Sequence, residues 1–182
     1  MIYTGVGSRS TPIHILQDMI LIGQRLAYKG WTLRSGRAQG ADQAFEYGCD
    51  ISQGEKEIYL PWSNFPGDGH YDYPEQFLKA SILLNGPSQA AIELAYMTLG
   101  GDHWKRLTQG GHKLHARNMH QVLGHDLKAP ADMLICWAKP KGMHVEGGTN
   151  TAWKLGKLQE NSTRCFNLYH EQDYSHVMSM LY

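Results

Sequence analysis

The sequence predicts an α/β protein in which a parallel sheet carries helices on both faces. Three observations predict it. Short apolar runs of strand character alternate with longer runs of helical period, the pattern of βαβ units whose crossovers cover both faces of a sheet. Three glycine-rich segments, 5–10, 35–42 and 146–151, each stand where a strand-like run gives way to a helix-like one. The length of 182 residues, with 42% hydrophobic residues, suits a single domain spanning 1–182 and is short for two.

The elements follow in order. Ile2 to Gly7 reads as a short buried strand, and Pro12 suits the first turn of the next helix, with Ser10 or Thr11 as its cap. Ile13, Leu16, Met19, Ile20, Ile22 and Leu26 keep a mostly helical period that Lys29-Gly30 ends. Trp31 to Ser35 is the second strand, Gly40 to about Cys49 the second helix, and Glu57 to Pro61 the third strand. Trp62 to Tyr73, with Pro66, Gly67, Gly69 and four aromatics, reads as an irregular loop, either a binding lid or a surface loop pinned by its own aromatics. Ser88 to Leu99 and Leu114 to Leu123 read as helices, with Gly100-Gly101 and Gly110-Gly111 as punctuation between them. Asp132 to Trp137 is the clearest buried strand of the second half. The third glycine-rich turn follows it, then a helix from Ala152 to Gln159 and a last strand from Cys165 to Leu168.

Composition narrows the function classes. Lys plus Arg and Asp plus Glu both number 17, so no global positive field draws the chain to nucleic acid or to an anionic membrane, and neither is expected as a partner. No apolar run approaches the roughly 20 residues that span a bilayer. Met1-Ile2-Tyr3 leads straight into a strand, so a soluble, cytoplasmic protein is expected. Cys49, Cys136 and Cys165 are odd in number and widely spaced, which reads as reduced structural thiols. His112, His115 and His120 lie close in sequence, but no cysteine or carboxylate completes a ligand set of recognised spacing. No metal and no cofactor are expected.

The glycine-rich turns carry the functional signal. Backbone N–H groups at a helix N-terminus are unpaired and lie at the positive end of the peptide dipoles, so an anion there satisfies both deficits. Glycine lets the chain approach it closely. Ligands of parallel sheets bind at the carboxyl ends of the strands, beside the switch in strand order, and all three turns belong at that end. The reading is a nucleotide or a related phosphorylated ligand. Its binding residues are Gly5, Gly7, Ser8 and Arg9 from the first turn; Ser35, Gly36, Ala38, Gly40 and Asp42 from the second; and Gly147, Gly148, Thr149 and Thr151 from the third.

Strand-Gly-x-Gly-Ser-Arg, then Ser-Gly-x-Ala-x-Gly-Ala-Asp, then x-Gly-Gly-Thr-x-x-Ala resembles the SLOG superfamily, a Rossmann-like group, over about Ile2 to Leu168. The group includes DNA-processing protein A, the YpsA-like proteins and the Lonely Guy nucleotide hydrolases, and the chain looks closest to small stand-alone YpsA-like members of bacteria and phages. The Lonely Guy hydrolases cleave the N-glycosidic bond of a nucleoside monophosphate and carry Met-His-x-Arg-Lys on a helix. Leu114-His115-Ala116-Arg117-Asn118 is similar to it. The resemblance implies that Arg117, with Asn118 beside it, holds phosphate or ribose, for which a planar guanidinium fork is suited.

One departure bears on activity. Aligning Gly148-Thr149 with the hydrolases' Gly-Thr puts Thr151 and Ala152 where that family has paired glutamates. A substitute acid would be Glu146, beside the glycine pair, with Asp42 and Glu93 as other candidates. Asp42 in a first helical turn also suits the macrodipole and a capping role. Two readings stay open: a nucleotide-binding protein, such as a sensor or scavenger of a signalling nucleotide, or an N-glycosidic-bond hydrolase or transferase with Glu146 and Arg117 as catalytic residues. Single-strand DNA binding is a third, against which the balanced charge argues. A homo-oligomer is expected in either case.

Overall fold

The computed structural model describes residues 1–63, 65, 84–159 and 162–182. In chain order its elements are β1 (Ile2–Gly7), α1 (Ile13–Tyr28), β2 (Thr32–Ser35), α2 (Ala41–Ile51), β3 (Lys56–Leu60) and β4 (Leu84–Asn85). Then come α3 (Gln89–Leu99), α4 (Gly101–Trp104), α5 (Gln109–Leu123), β5 (Met133–Trp137), β6 (Pro140–Lys141) and β7 (His144–Val145). The chain ends with α6 (Thr149–Leu158), β8 (Arg164–Asn167) and α7 (Glu171–Ser179).

Six strands pair in parallel in the order β4-β3-β2-β1-β5-β8, while β6 and β7 form a separate antiparallel hairpin. The two-residue period of β5 shows why a continuous apolar run is needed. Met133, Ile135 and Trp137 pack with Ile15, Met19 and Ile22 of α1 and Phe45 of α2; Leu134 and Cys136 face the other way, against Met119 of α5 and Leu155 of α6. Helices thus cover both faces, as the sequence predicts.

The chain lays β2, β3 and β4 to one side of β1 and β5 and β8 to the other, so strand order switches between β1 and β5. Their carboxyl ends are in register, Gly7 opposite Trp137, and Ser8 N donates to Trp137 O at 3.0 Å. A cleft opens at such a point because the connections leave it in opposite directions.

Several boundaries differ from the sequence reading. Neither Ser10 nor Thr11 caps α1, whose N-cap is Pro12; instead Thr11 Oγ1 and N donate to Ser8 O, at 2.7 and 3.3 Å, and Ser10 N donates to Ser8 Oγ at 3.1 Å, closing the turn after β1. Gly110-Gly111 lies inside α5 rather than before it, because Thr108 caps the helix by accepting Gly111 N at 3.1 Å. The hairpin of β6 and β7 intervenes between β5 and the third glycine-rich turn, and α6 starts at Thr149 rather than Ala152. A seventh helix, α7, follows the last strand, and β4 adds an edge to the sheet. Of the loop read from Trp62 to Tyr73, all but residues 62, 63 and 65 lies outside the described residues. Among the described residues no helix is long and apolar enough to cross a membrane.

Candidate functional site

The end of β1, the turn from β2 into α2, the start of α6 and one side of α5 line a cleft of about 410 Å³, within the roughly 300–1,000 Å³ of small-molecule sites. Gly7, Ser8 and Arg9 form one wall, and Glu146, Gly147, Gly148 and Thr149 form another. Ala38 and Asp42 come from the second turn, and Arg117 and Asn118 from α5.

Arg117 is 4% exposed and is held from several sides. Its Nη1 donates to Gly36 O and to Tyr59 O (3.4 Å), Nε donates to Asn118 Oδ1 at 3.1 Å, and the guanidinium carbon lies 5.5 Å from the ring centre of Phe65. Burial pulls its pKa down, and Asp42 opposes that shift. Asp42, in the first turn of α2, is 3% exposed, with Oδ2 3.7 Å from Arg117 Nη1. The same oxygen accepts from Ala38 N and Gln121 Nε2, both at 3.4 Å. Burial pushes the Asp42 carboxyl above the usual carboxylate range, with Arg117 and these hydrogen bonds pulling the other way. Asp42 thus lies in the first turn of α2, where a carboxylate suits the macrodipole, but it caps no N–H of that helix; its backbone contact at Ala38 N is to the turn before it.

Asn118 ties the floor to the third turn. It accepts from Arg117 Nε and donates through Nδ2 to Gly148 O at 2.9 Å. Gly147 adopts a left-handed φ of 72°, and a Cβ at Gly147 or Gly148 would meet nothing within 4 Å. Their surface is open toward the cleft; Asn150 N and Thr151 N donate back to Gly147 O and Gly148 O at 3.2 and 3.4 Å, so the start of α6 offers an anion its dipole and the N–H groups ahead of these two.

Five residues read as ligand-binding do not line the cleft. A Cβ at Gly5 would stand 2.6 Å from Phe45 Cγ, so this glycine lets α2 pack on β1. Ser35 Oγ donates to Gly5 O at 2.7 Å, joining β2 to β1. Gly36 makes room for the Arg117 side chain, and Gly40 has a φ of 92° at the start of α2 with Ser8 O close by. Thr151 Oγ1 bonds His115 Nδ1 at 2.5 Å from behind the wall. Glu146 is exposed at the rim, while Glu93 is exposed on α3, beside a separate groove with Tyr96 and Met97.

Four lining residues were not read as site residues: Val6, Leu114, His115 and Gln121. His115 belongs to the Leu-His-x-Arg-Asn segment itself, and Gln121 follows Arg117 by one helical turn on the same face, so both signals were present in the sequence. Burial, helped by His103, Arg117 and His112, pushes the His115 ring down to about 4, and it is neutral at pH 7. The other two histidines of that cluster are engaged elsewhere: His112 stacks on Trp104 with ring centres 4.1 Å apart, and His120 Nδ1 bonds Gly124 O at 3.1 Å.

No protein-family model matches the sequence, and no curated protein matches it. Among solved structures the chain is similar to the Moco carrier protein of Chlamydomonas rheinhardtii, with 14% identity, 99% of this chain and 82% of that chain covered, and a TM-score of 0.49. It is also similar to DNA processing protein A from Helicobacter pylori, whose structure describes a single-stranded DNA binding mode, with 14% identity, coverage of 99% and 79%, and a TM-score of 0.38. Both are similarities of chain course at low identity.

Proposed function

We propose that the chain binds a nucleotide or nucleotide-derived phosphorylated ligand in this cleft, as a sensor or scavenger of that ligand. One observation carries the reading: the three strand-to-helix turns meet at the switch point of a parallel sheet, together with Arg117 and Asn118. Two guanidinium groups, Arg9 on the wall and Arg117 at the floor, and the N-terminus of α6 supply positive potential for an anion.

Asp42 favours a second reading, cleavage of an N-glycosidic bond. A buried carboxyl pushed upward beside Arg117 is suited to hold a proton for a leaving base, and Glu146 offers a second, exposed carboxylate at the rim. One experiment tests both readings. Nucleoside mono- and diphosphates, NAD and ADP-ribose are screened by thermal shift, and each mixture is then chromatographed for released base. A ligand at about a hundred times its Kd stabilises by about 2.7 kcal/mol, which for a chain of this size raises Tm by roughly 5–11 °C. No response to any of them would count heavily against the binding reading. Robust base release would replace pure binding by catalysis, and Asp42→Asn against Glu146→Gln would then identify the acid.

A further inference from the structure

The floor of the cleft holds more acceptors than its own donors satisfy. Gln121 is 1% exposed, lines the cleft, and has a buried Oε1 with no hydrogen-bond partner among the described residues. A buried acceptor left this way is costly unless something donates to it. Its Nε2 sits 3.4 Å from Asp42 Oδ2, so two acceptors lie side by side. The contacts to that carboxylate oxygen from Ala38, Gln121 and Arg117 are 3.4, 3.4 and 3.7 Å, all longer than an ordinary hydrogen bond, and the Gly7 N–H is the carboxyl's other backbone partner. Opposite them, Arg117 uses Nε and Nη1 on Asn118, Gly36 and Tyr59, while Nη2 donates to no described residue.

The chemistry that fits this arrangement donates and accepts at once. A hydroxyl gives one proton to an acceptor and keeps lone pairs for a guanidinium, and two neighbouring hydroxyls would serve Asp42 and Gln121 together. A phosphate at the floor would face a buried carboxylate and an amide oxygen, whereas Arg9 and the start of α6 offer it donors, with the Glu146 carboxylate exposed at the rim beside them. Among the described residues the apolar lining is Val6, Ala38 and Leu114, and the one ring in the lining is the imidazole of His115, so little there is built to hold a base. We propose that Asp42, Gln121 and Arg117 read a vicinal diol on the sugar of the ligand, so that the cleft selects ribose phosphates over 2-deoxyribose phosphates. The proposal rests on the phosphate-binding reading above.

Isothermal titration with two matched pairs tests it: ribose 5-phosphate against 2-deoxyribose 5-phosphate, and AMP against 2′-deoxyAMP. Sites that hydrogen-bond a hydroxyl reject analogues lacking it, and the ribo member of whichever pair binds should be at least about tenfold tighter. Gln121→Met keeps volume; it removes the orphan acceptor together with the long 3.4 Å contact to Asp42, two opposed effects on stability, so it should fold while its preference falls below about threefold. Asp42→Asn should narrow the preference as well. Equal affinity for both members in the wild type overturns the diol proposal and leaves the phosphate reading standing. A preference kept in both variants overturns the assignment to these residues, and no binding by any of the four probes overturns both readings.

Discussion

Arg117 reaches the cleft only because position 36 has no side chain. A Cβ there would stand 1.6 Å from Nη1 and 2.4 Å from Cζ, and the guanidinium would have to leave both Gly36 O and Asp42. Gly36→Ala should therefore weaken phosphate-ligand binding almost as much as Arg117→Ala, where loss of a charge-assisted contact is worth about 1.5–3 kcal/mol. The double variant should be no worse than either single one, because both remove the same interaction. Titration of the three variants checks this, and additive losses would separate Gly36 from Arg117. The same pair shows what a local reading misses. Gly36 stands in a glycine-rich turn, where the sequence suggests a ligand contact, yet the group it accommodates is 81 residues away in sequence. Packing across that separation leaves no trace in spacing or period. Arg117 itself was legible from its neighbours, and so, in principle, was His115.

At the scale of elements, what the sequence showed was governed by how much of each element is buried. The run 133–137 is buried throughout and was read nearly to its ends, whereas β4, β6 and β7 span two residues each and have no period to detect. Helix α7 buries only Val177 among its nine residues, which leaves a weak apolar stripe. The start of α6 is the element on which the proposed binding depends most. Gly148 has right-handed helical angles, φ −64° and ψ −27°, and open space around it, so Gly148→Val should change stability by no more than about 1 kcal/mol. Its branched side chain would nevertheless stand where an anion approaches the first N–H groups, and binding should be lost. Gly7→Val is the contrast. A Cβ there meets Ala41 Cβ at 2.6 Å and Trp137 O at 3.0 Å, so this variant should lose about 1–3 kcal/mol of stability through overpacking. Urea unfolding and titration of the two variants separate the roles; normal binding by Gly148→Val would move the anion away from α6.

For the molecule as a whole, alternation of strand and helix made the parallel sheet legible. Strand order was not, because it depends on which side of β1 each crossover returns to. That order decides which buried groups share the cleft, and so the pH dependence of the fold. The His115 ring, pushed down to about 4, stays neutral in the native state while the unfolded chain takes up a proton near the free value of about 6.5. Over that window the unfolded state binds more protons, so stability rises with pH and is lost as pH falls toward 4. His120, also held down by burial, adds the same sign. Each contributes a slope of at most about 1.4 kcal/mol per pH unit. Glu46, held below its ordinary value by Arg37 and Lys56 despite its burial, adds a loss only at lower pH. Asp42 and Asp50, pushed up by burial, run the other way: their contribution is present at low pH and disappears as pH rises through their folded values. Because these carboxyls oppose the histidines, the informative quantity is a difference between two proteins that share them. His115→Gln keeps a polar partner for Thr151 and removes the titrating ring. Urea unfolding from pH 7 to 4.5 should show the variant losing less stability on acidification than the wild type, and an equal slope in the two would mean that the His115 ring is not held neutral beside Arg117.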